Sequence, residues 1–116
     1  MNIEEIRNLC LSFPEATESF PFDEETLVFK VAGKMFALLA LEKNATINLK
    51  CDPEKAVELR THYEAVKPGY HMNKKHWNTV EFDKISPQLV KEMIVHSYKL
   101  VVSKLPANKR RTLEAR

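Results

Sequence analysis

The hydrophobic period of this chain changes four times, from 3.6 residues to 2 at Thr26, back to 3.6 after Asp52-Pro53, to 2 again after Pro68-Gly69 and to 3.6 once more after Ser86-Pro87. A chain patterned in this way must lay helices against a sheet. Ahead of the first change, Ile6, Leu9, Cys10 and Phe13 keep the i, i+3, i+4, i+7 spacing of one helical face. Asn2 with Glu5 three residues on resembles a capping box, Glu4 and Glu5 suit the positive end of the helix dipole, and Pro14 ends the helix. Glu15 to Glu25 is expected as a loop, anchored to the core by Phe20 and Phe22.

In the middle section Leu27, Phe29 and Val31 alternate with Val28 and Lys30, which predicts a strand from Thr26 to Val31. Ala32-Gly33-Lys34 is a tight turn in which Gly33 supplies the positive φ. Met35 to Leu41 is apolar on both phases and should run centrally. Asn44 marks a further turn, and Thr46 to Cys51 alternates with Ile47, Leu49 and Cys51 inward. Asp52-Pro53 then starts a helix running to about His62, with Ala56, Val57, Arg60 and Tyr63 as its packed stripe. After the break at Pro68-Gly69, Tyr70-His71-Met72 and His76 to Phe82 read as a second hairpin turning at Asn73-Lys74-Lys75. Ser86-Pro87 opens the last helix, with Leu89, Val90, Met93, Ile94, Ser97, Leu100 and Val101 on its apolar face, and Pro106 follows its end. The expected order is α-β-β-β-α-β-β-α. Strands in runs argue for an α+β domain with an antiparallel five-stranded sheet and helices packed on one face.

One domain spanning residues 1–116 is enough for this length, since a chain of 116 residues can build a core without disulfides or metals. Residues 106–116 are expected as a basic tail. The longest apolar run, Met35 to Leu41, is far short of the ~20 residues that span a bilayer, so no membrane partner is expected. The carboxylates at Glu4 and Glu5 oppose a targeting segment, and the expected location is cytoplasmic. Cys10 and Cys51 form no CxxC and read as small buried hydrophobes.

Charge is where the sequence turns informative about function. Its net of +2 and pI of 8.5 exclude a strongly polybasic binder. Resolved along the chain, residues 1–27 hold seven carboxylates and one Arg, whereas the remainder holds 17 basic and nine acidic side chains. The window from Ala65 to Val80 has no carboxylate at all. Inside it Lys67, His71, Asn73, Lys74, Lys75 and His76 lie beside Tyr70 and Trp77, which offers phosphate contacts, amide donors and stacking surfaces. Lys34 sits on the other tight turn. Lys109, Arg110 and Arg111, with Arg116, form a second basic cluster, readable as a phosphate-seeking tail or a solubilising end.

Other chemistries are poorly served. His71 and His76 lack a third ligand at recognisable spacing, so no metal is expected. Cys10, Ser97 and Ser103 stand in no nucleophile elbow, and Gly33 and Gly69, the chain's two glycines, make no phosphate-cradling loop. Neither an enzyme nor a small-molecule cofactor is expected. Glu15, Glu18, Asp23, Glu24 and Glu25 form an acidic patch that suits a solvated loop, a cation or a basic partner.

Several segments together carry a family likeness. Leu11-Ser12-Phe13-Pro14, Glu24 to Val31 with Gly33-Lys34-Met35-Phe36-Ala37, Leu49 to Glu54, the long stretch Pro68 to Val80, Ser97-Tyr98 and Leu105-Pro106 resemble the MmcQ/YjbR family over nearly the whole chain. The resemblance implies a bacterial cytosolic protein with a two-layer α/β sandwich, CyaY-like or similar to type III secretion chaperones. It also implies DNA binding through a double wing, here the Gly33-Lys34 and Asn73-Lys74-Lys75 hairpins. Asp83-Lys84 departs from the Asp-Gly of many members. The leading expectation is a monomeric, non-enzymatic DNA-binding protein using Lys34, Lys67, His71, Asn73, Lys74, Lys75, His76 and Lys109 to Arg111. The alternatives are a protein-interaction module and a frataxin-like cation binder through the acidic loop.

Overall fold

The computed structural model describes residues 1–42 and 45–115. Six antiparallel strands form one sheet in the order β1-β2-β3-β4-β6-β5. The strands are β1 Ala16–Ser19, β2 Thr26–Val31, β3 Lys34–Ala40, β4 Thr46–Lys50, β5 Val66–Pro68 and β6 Trp77–Glu81. Among the described residues four helices accompany them: α1 Ile3–Ser12, α2 Pro53–His62, α3 Pro87–Ser103 and α4 Ala107–Glu114. The α+β class and the sheet with helices on one face stand as read from the sequence. The element order gains a strand near the front and a helix at the end.

Capping explains where the helices start. Asn2 accepts from the Glu5 amide at 2.8 Å while Glu5 Oε1 accepts from the Asn2 amide at 3.1 Å, a full capping box. Asp52 and Ser86 each cap a helix whose first residue is Pro. α3 is the main packing helix, burying Val90, Met93, Ile94, Ser97, Tyr98, Val101 and Val102 over β2, β3 and β4. Beneath it lie Phe29, Val31, Phe36, Leu39, Ile47 and Val80, all 0% exposed. Tyr98 stacks on Phe13 at 4.6 Å and donates its hydroxyl to the Pro14 carbonyl at 2.7 Å, tying α3 to the exit of α1.

Ser97 has a special place in this layer. Its hydroxyl donates to the Phe36 carbonyl at 2.5 Å and accepts from the Lys50 amide at 2.9 Å. The β3–β4 pairs run from Leu39↔Ile47 to Ala37↔Leu49, so the serine stands in for a backbone rung just past their end.

Five sequence expectations are corrected. Residues 15–25 contain the short strand β1, whose polar residues gave no apolar alternation; pairing of Ala16–Ser19 with Val28–Val31 creates it. Phe20 and Phe22 do not anchor that segment, being 50% and 65% exposed. The incoming strand of the second hairpin is Val66–Pro68 rather than Tyr70-His71-Met72, and Pro68 is tolerated because β5 is the sheet's edge. Residues 106–116 are not simply a tail: Ala107–Glu114 is helical and buries Leu113 in the main core. In α2 the buried pair is Ala56 and Leu59, whereas Val57 and Tyr63 are exposed. Asn44 and Arg116 lie outside the described residues. No helix among the described residues is long and apolar enough to cross a membrane.

Candidate nucleic-acid interface

Both hairpin tips emerge from the same end of the sheet. At the first, Ala32 and Gly33 take φ values of 49° and 77°, the two consecutive positive values of a tight two-residue turn that suits strand twist. Lys34 follows directly, paired with Val31. At the second, β5 and β6 are joined by residues 69–76, and Lys50 at the end of β4 pairs with Trp77 at the start of β6. One strand, β4, separates β3 from β6, so the roots of the tips stand about 10 Å apart.

The second tip is held by a dense set of bonds. Gly69 donates to the Trp77 carbonyl at 2.8 Å, and the Asn73 carbonyl accepts from His76 and Trp77 at 3.2 and 2.9 Å. Asn73 Oδ1 accepts from the Lys75 amide at 2.9 Å, an Asx turn that aims the apex. Arg60 reaches over from α2 and donates to the Lys74 carbonyl at 3.0 Å. Gly69 is required here, since a Cβ would meet Trp77 Cβ at 2.8 Å and its carbonyl oxygen at 2.9 Å.

Five lysines gather at this end. Lys34, Lys74 and Lys75 are exposed at the tips. Lys30 pairs with Met35 and Lys50 with Trp77, and Met35 packs against the Val28, Leu38 and Trp77 cluster on the helix-free face. Cross-strand partners share a face, so Lys30 and Lys50 belong to that face too. None of the five has a carboxylate within ion-pair distance among the described residues.

The remaining predicted residues are placed differently. Lys67 is bound to Glu81 at 2.8 Å, and Lys84 binds the same carboxylate at 2.7 Å. Hydrogen bonds from Lys67 and then Lys84 pull Glu81 down to a pKa of about 2. Lys109, Arg110 and Arg111 lie on α4, which packs on α3 in the helical layer. There Arg110 faces Glu114 at 3.6 Å and Arg111 Nε donates to the Ala107 carbonyl at 3.3 Å. His71, at φ 59°, sets its ring 4.1 Å from that of Tyr70. His76 is half-buried, with its carbonyl accepting from Cys51 at 2.8 Å. Sequence reading missed Lys30, Lys50 and Arg60 as contributors, although the two lysines occupy the polar phase of strands whose other phase is core.

Beside the tips the helix-free face holds a trough of about 940 Å3. Met35, Leu38, Asn48, Met72 and Thr79 are among its lining, with Phe22 and Tyr70 at its borders. Asp23, Glu25 and Glu42 line it at the end away from the hairpin tips. Glu25 is pushed up by its hydrogen bond to Glu42 and by the charge of that carboxylate. Glu18 is engaged by Arg7 at 2.6 Å, and Asp23 accepts from the Glu25 and Thr26 amides. Among the described residues no three His, Cys, Asp or Glu side chains converge as metal ligands would.

These features define an α+β protein with a one-sided helical layer, an open sheet face and two hairpin tips at one end. A family model described as YjbR matches residues 11–100, and the chain belongs to that family. It is 42% identical over 104 residues to YbdF of Escherichia coli O157:H7, covering 88% of this chain and 85% of the relative. To YjbR of E. coli K12 it is 34% identical over 115 residues, covering 97% and 98%. Among solved structures, Deinococcus radiodurans DR2400, a DUF419 domain, superposes with a TM-score of 0.89 at 39% identity over 97% of this chain and 88% of that one. A Pseudomonas syringae protein gives a TM-score of 0.74 at 27% identity over 86% and 98%.

Proposed function

We propose that this protein is a non-enzymatic, cytoplasmic nucleic-acid-binding protein that acts as a monomer and takes DNA phosphates at the two hairpin tips. The observation that carries this reading is the contrast between lysines. Five at one end of the sheet lack a carboxylate partner among the described residues, whereas Lys67 and Lys84 are both bound to the Glu81 carboxylate. Phosphate contacts position a protein on nucleic acid, and lysines not bound to carboxylates are what such contacts need. A non-enzymatic role is supported by the thiols and the core serine: Cys10 is buried with its pKa raised to about 12, Cys51 is also buried and raised, and Ser97 donates into the backbone.

Fluorescence anisotropy with a labelled oligonucleotide tests the reading. If about four phosphates are neutralised, log K falls with log[salt] at a slope near −3.6 on a duplex and about −2.8 on a single strand. Lys74→Glu/Lys75→Glu should remove most of the affinity. No binding at about 50 mM salt, where phosphate contacts are strongest, or an unaffected double variant, would overturn it.

The trough favours a second reading, a protein-interaction module. Phe22 and Tyr70 are exposed beside an apolar floor of Met35, Leu38 and Met72, as a docking face requires. A stable homodimer burying above about 1,000 Å2, detected as a doubled mass and abolished by Phe22→Ser, would mark that class.

A further inference from the structure

Resting on the nucleic-acid reading, we infer that the strand taken at the hairpin end is single-stranded, with a base stacked on the ring of Tyr70. Tyr70 is 69% exposed, the most exposed of the large apolar side chains among the described residues, yet its backbone is tied to the sheet. The Tyr70 amide donates to Thr79 Oγ1 at 2.9 Å, and Gly69 before it lies against Trp77. Met72, two residues on, packs into the cluster of Val28, Leu38 and Trp77, which pins the loop to the sheet. His71 takes a left-handed φ and leans its ring on that of Tyr70. The result is an aromatic plane held out from the sheet on a fixed support.

That plane shares one eight-residue connection with Lys74 and Lys75, and the same end of the sheet carries Lys34 and Lys50. Exposed rings beside lysines are how single strands are gripped, because every unpaired base has a π-face to offer. A duplex keeps those faces stacked inside, so duplex binding would leave the Tyr70 ring unused. The carboxylates bound the footprint: Asp23, Glu25 and Glu42 line the far end of the trough and repel a phosphate chain there. The strand therefore crosses the lysine end of the face, covering only a few nucleotides.

The test uses the full chain and three labelled probes: twelve-residue oligo-dT, twelve-residue oligo-rU and a twelve-base-pair duplex. At least one single strand should bind about tenfold more tightly than the duplex, and the better of the two identifies the sugar. Tyr70→Ala should weaken single-strand binding about tenfold and leave duplex binding unchanged, while Tyr70→Phe should retain it. The exposed ring makes a folded Ala variant the expectation, checked by its circular dichroism. Equal or tighter duplex binding, or an equal loss for both probes in Tyr70→Ala, overturns this inference and leaves the nucleic-acid reading standing. Failure of all three probes to bind overturns both.

Discussion

Asn78 is buried at the start of β6 and joined to Arg60 of α2: its Oδ1 accepts from Arg60 Nη1 at 2.9 Å, while its Nδ2 donates to the Ala56 carbonyl at 3.3 Å. Through the same Nη1, Arg60 holds the Lys74 carbonyl, so one guanidinium links helix, strand and hairpin apex. Asn78→Leu removes the second donor of the Ala56 carbonyl, which keeps its helical bond within α2, and takes one acceptor from the buried side of Arg60. It should destabilise the fold by about 1–3 kcal/mol, read as a lower urea midpoint with an unchanged slope.

Lys67 and Lys74 should respond oppositely to removal. Lys67→Ala takes a side chain already spent on Glu81 and should change oligonucleotide affinity less than twofold. Lys74→Ala removes an unneutralised phosphate contact, which should lower the magnitude of the salt slope by about 0.7–0.9. Parallel anisotropy titrations across salt concentrations separate the two.

Two carboxylates should give stability profiles of opposite sign. Glu81 has a folded pKa of about 2 against an ordinary 4.5, so its contribution is complete above 4.5 and is lost as pH falls towards 2. Glu25 is raised by Glu42, so its ionisation opposes folding at neutral pH and the opposition fades as pH falls through the raised value. Glu25→Gln should therefore raise the urea midpoint at pH 7 and lose that advantage below about pH 4, where an ordinary Glu is protonated.

The two glycines should differ in how they resist alanine. At Gly33 a Cβ meets open space, and only the left-handed backbone opposes it, at about 1–2 kcal/mol. At Gly69 the Cβ collides with Trp77, including its carbonyl, so the connection must move. Gly69→Ala should cost about 1–3 kcal/mol and shift the amide NMR resonances of residues 69–76; Gly33→Ala should leave them in place.

Periodicity made α1, β2, β3 and α3 legible because each puts a large apolar face into the core. It failed for β1, where Thr17, Glu18 and Ser19 are polar and only the partner strand makes the segment extended. It failed for α4 because one residue, Leu113, carries the burial. At the candidate site, Lys34, Lys74 and Lys75 were legible because turns display them. The ion pairing of Lys67 was not, since Glu81 reaches it only through the β5–β6 pairing. Lys30 and Lys50 were hidden by lying within strands, where function is read from the face and not from the sequence neighbours.

The serine of α3 that bridges β3 and β4 also governs how the molecule comes apart. An amide bonded to its own sheet can exchange when an edge frays, but the Lys50 amide is bonded to Ser97 from another layer. Its proton can reach solvent only when α3 lifts from the sheet, and that same movement uncovers Phe36, Ile94 and Tyr98. Deuterium uptake at this single backbone position therefore reports the opening of the whole domain.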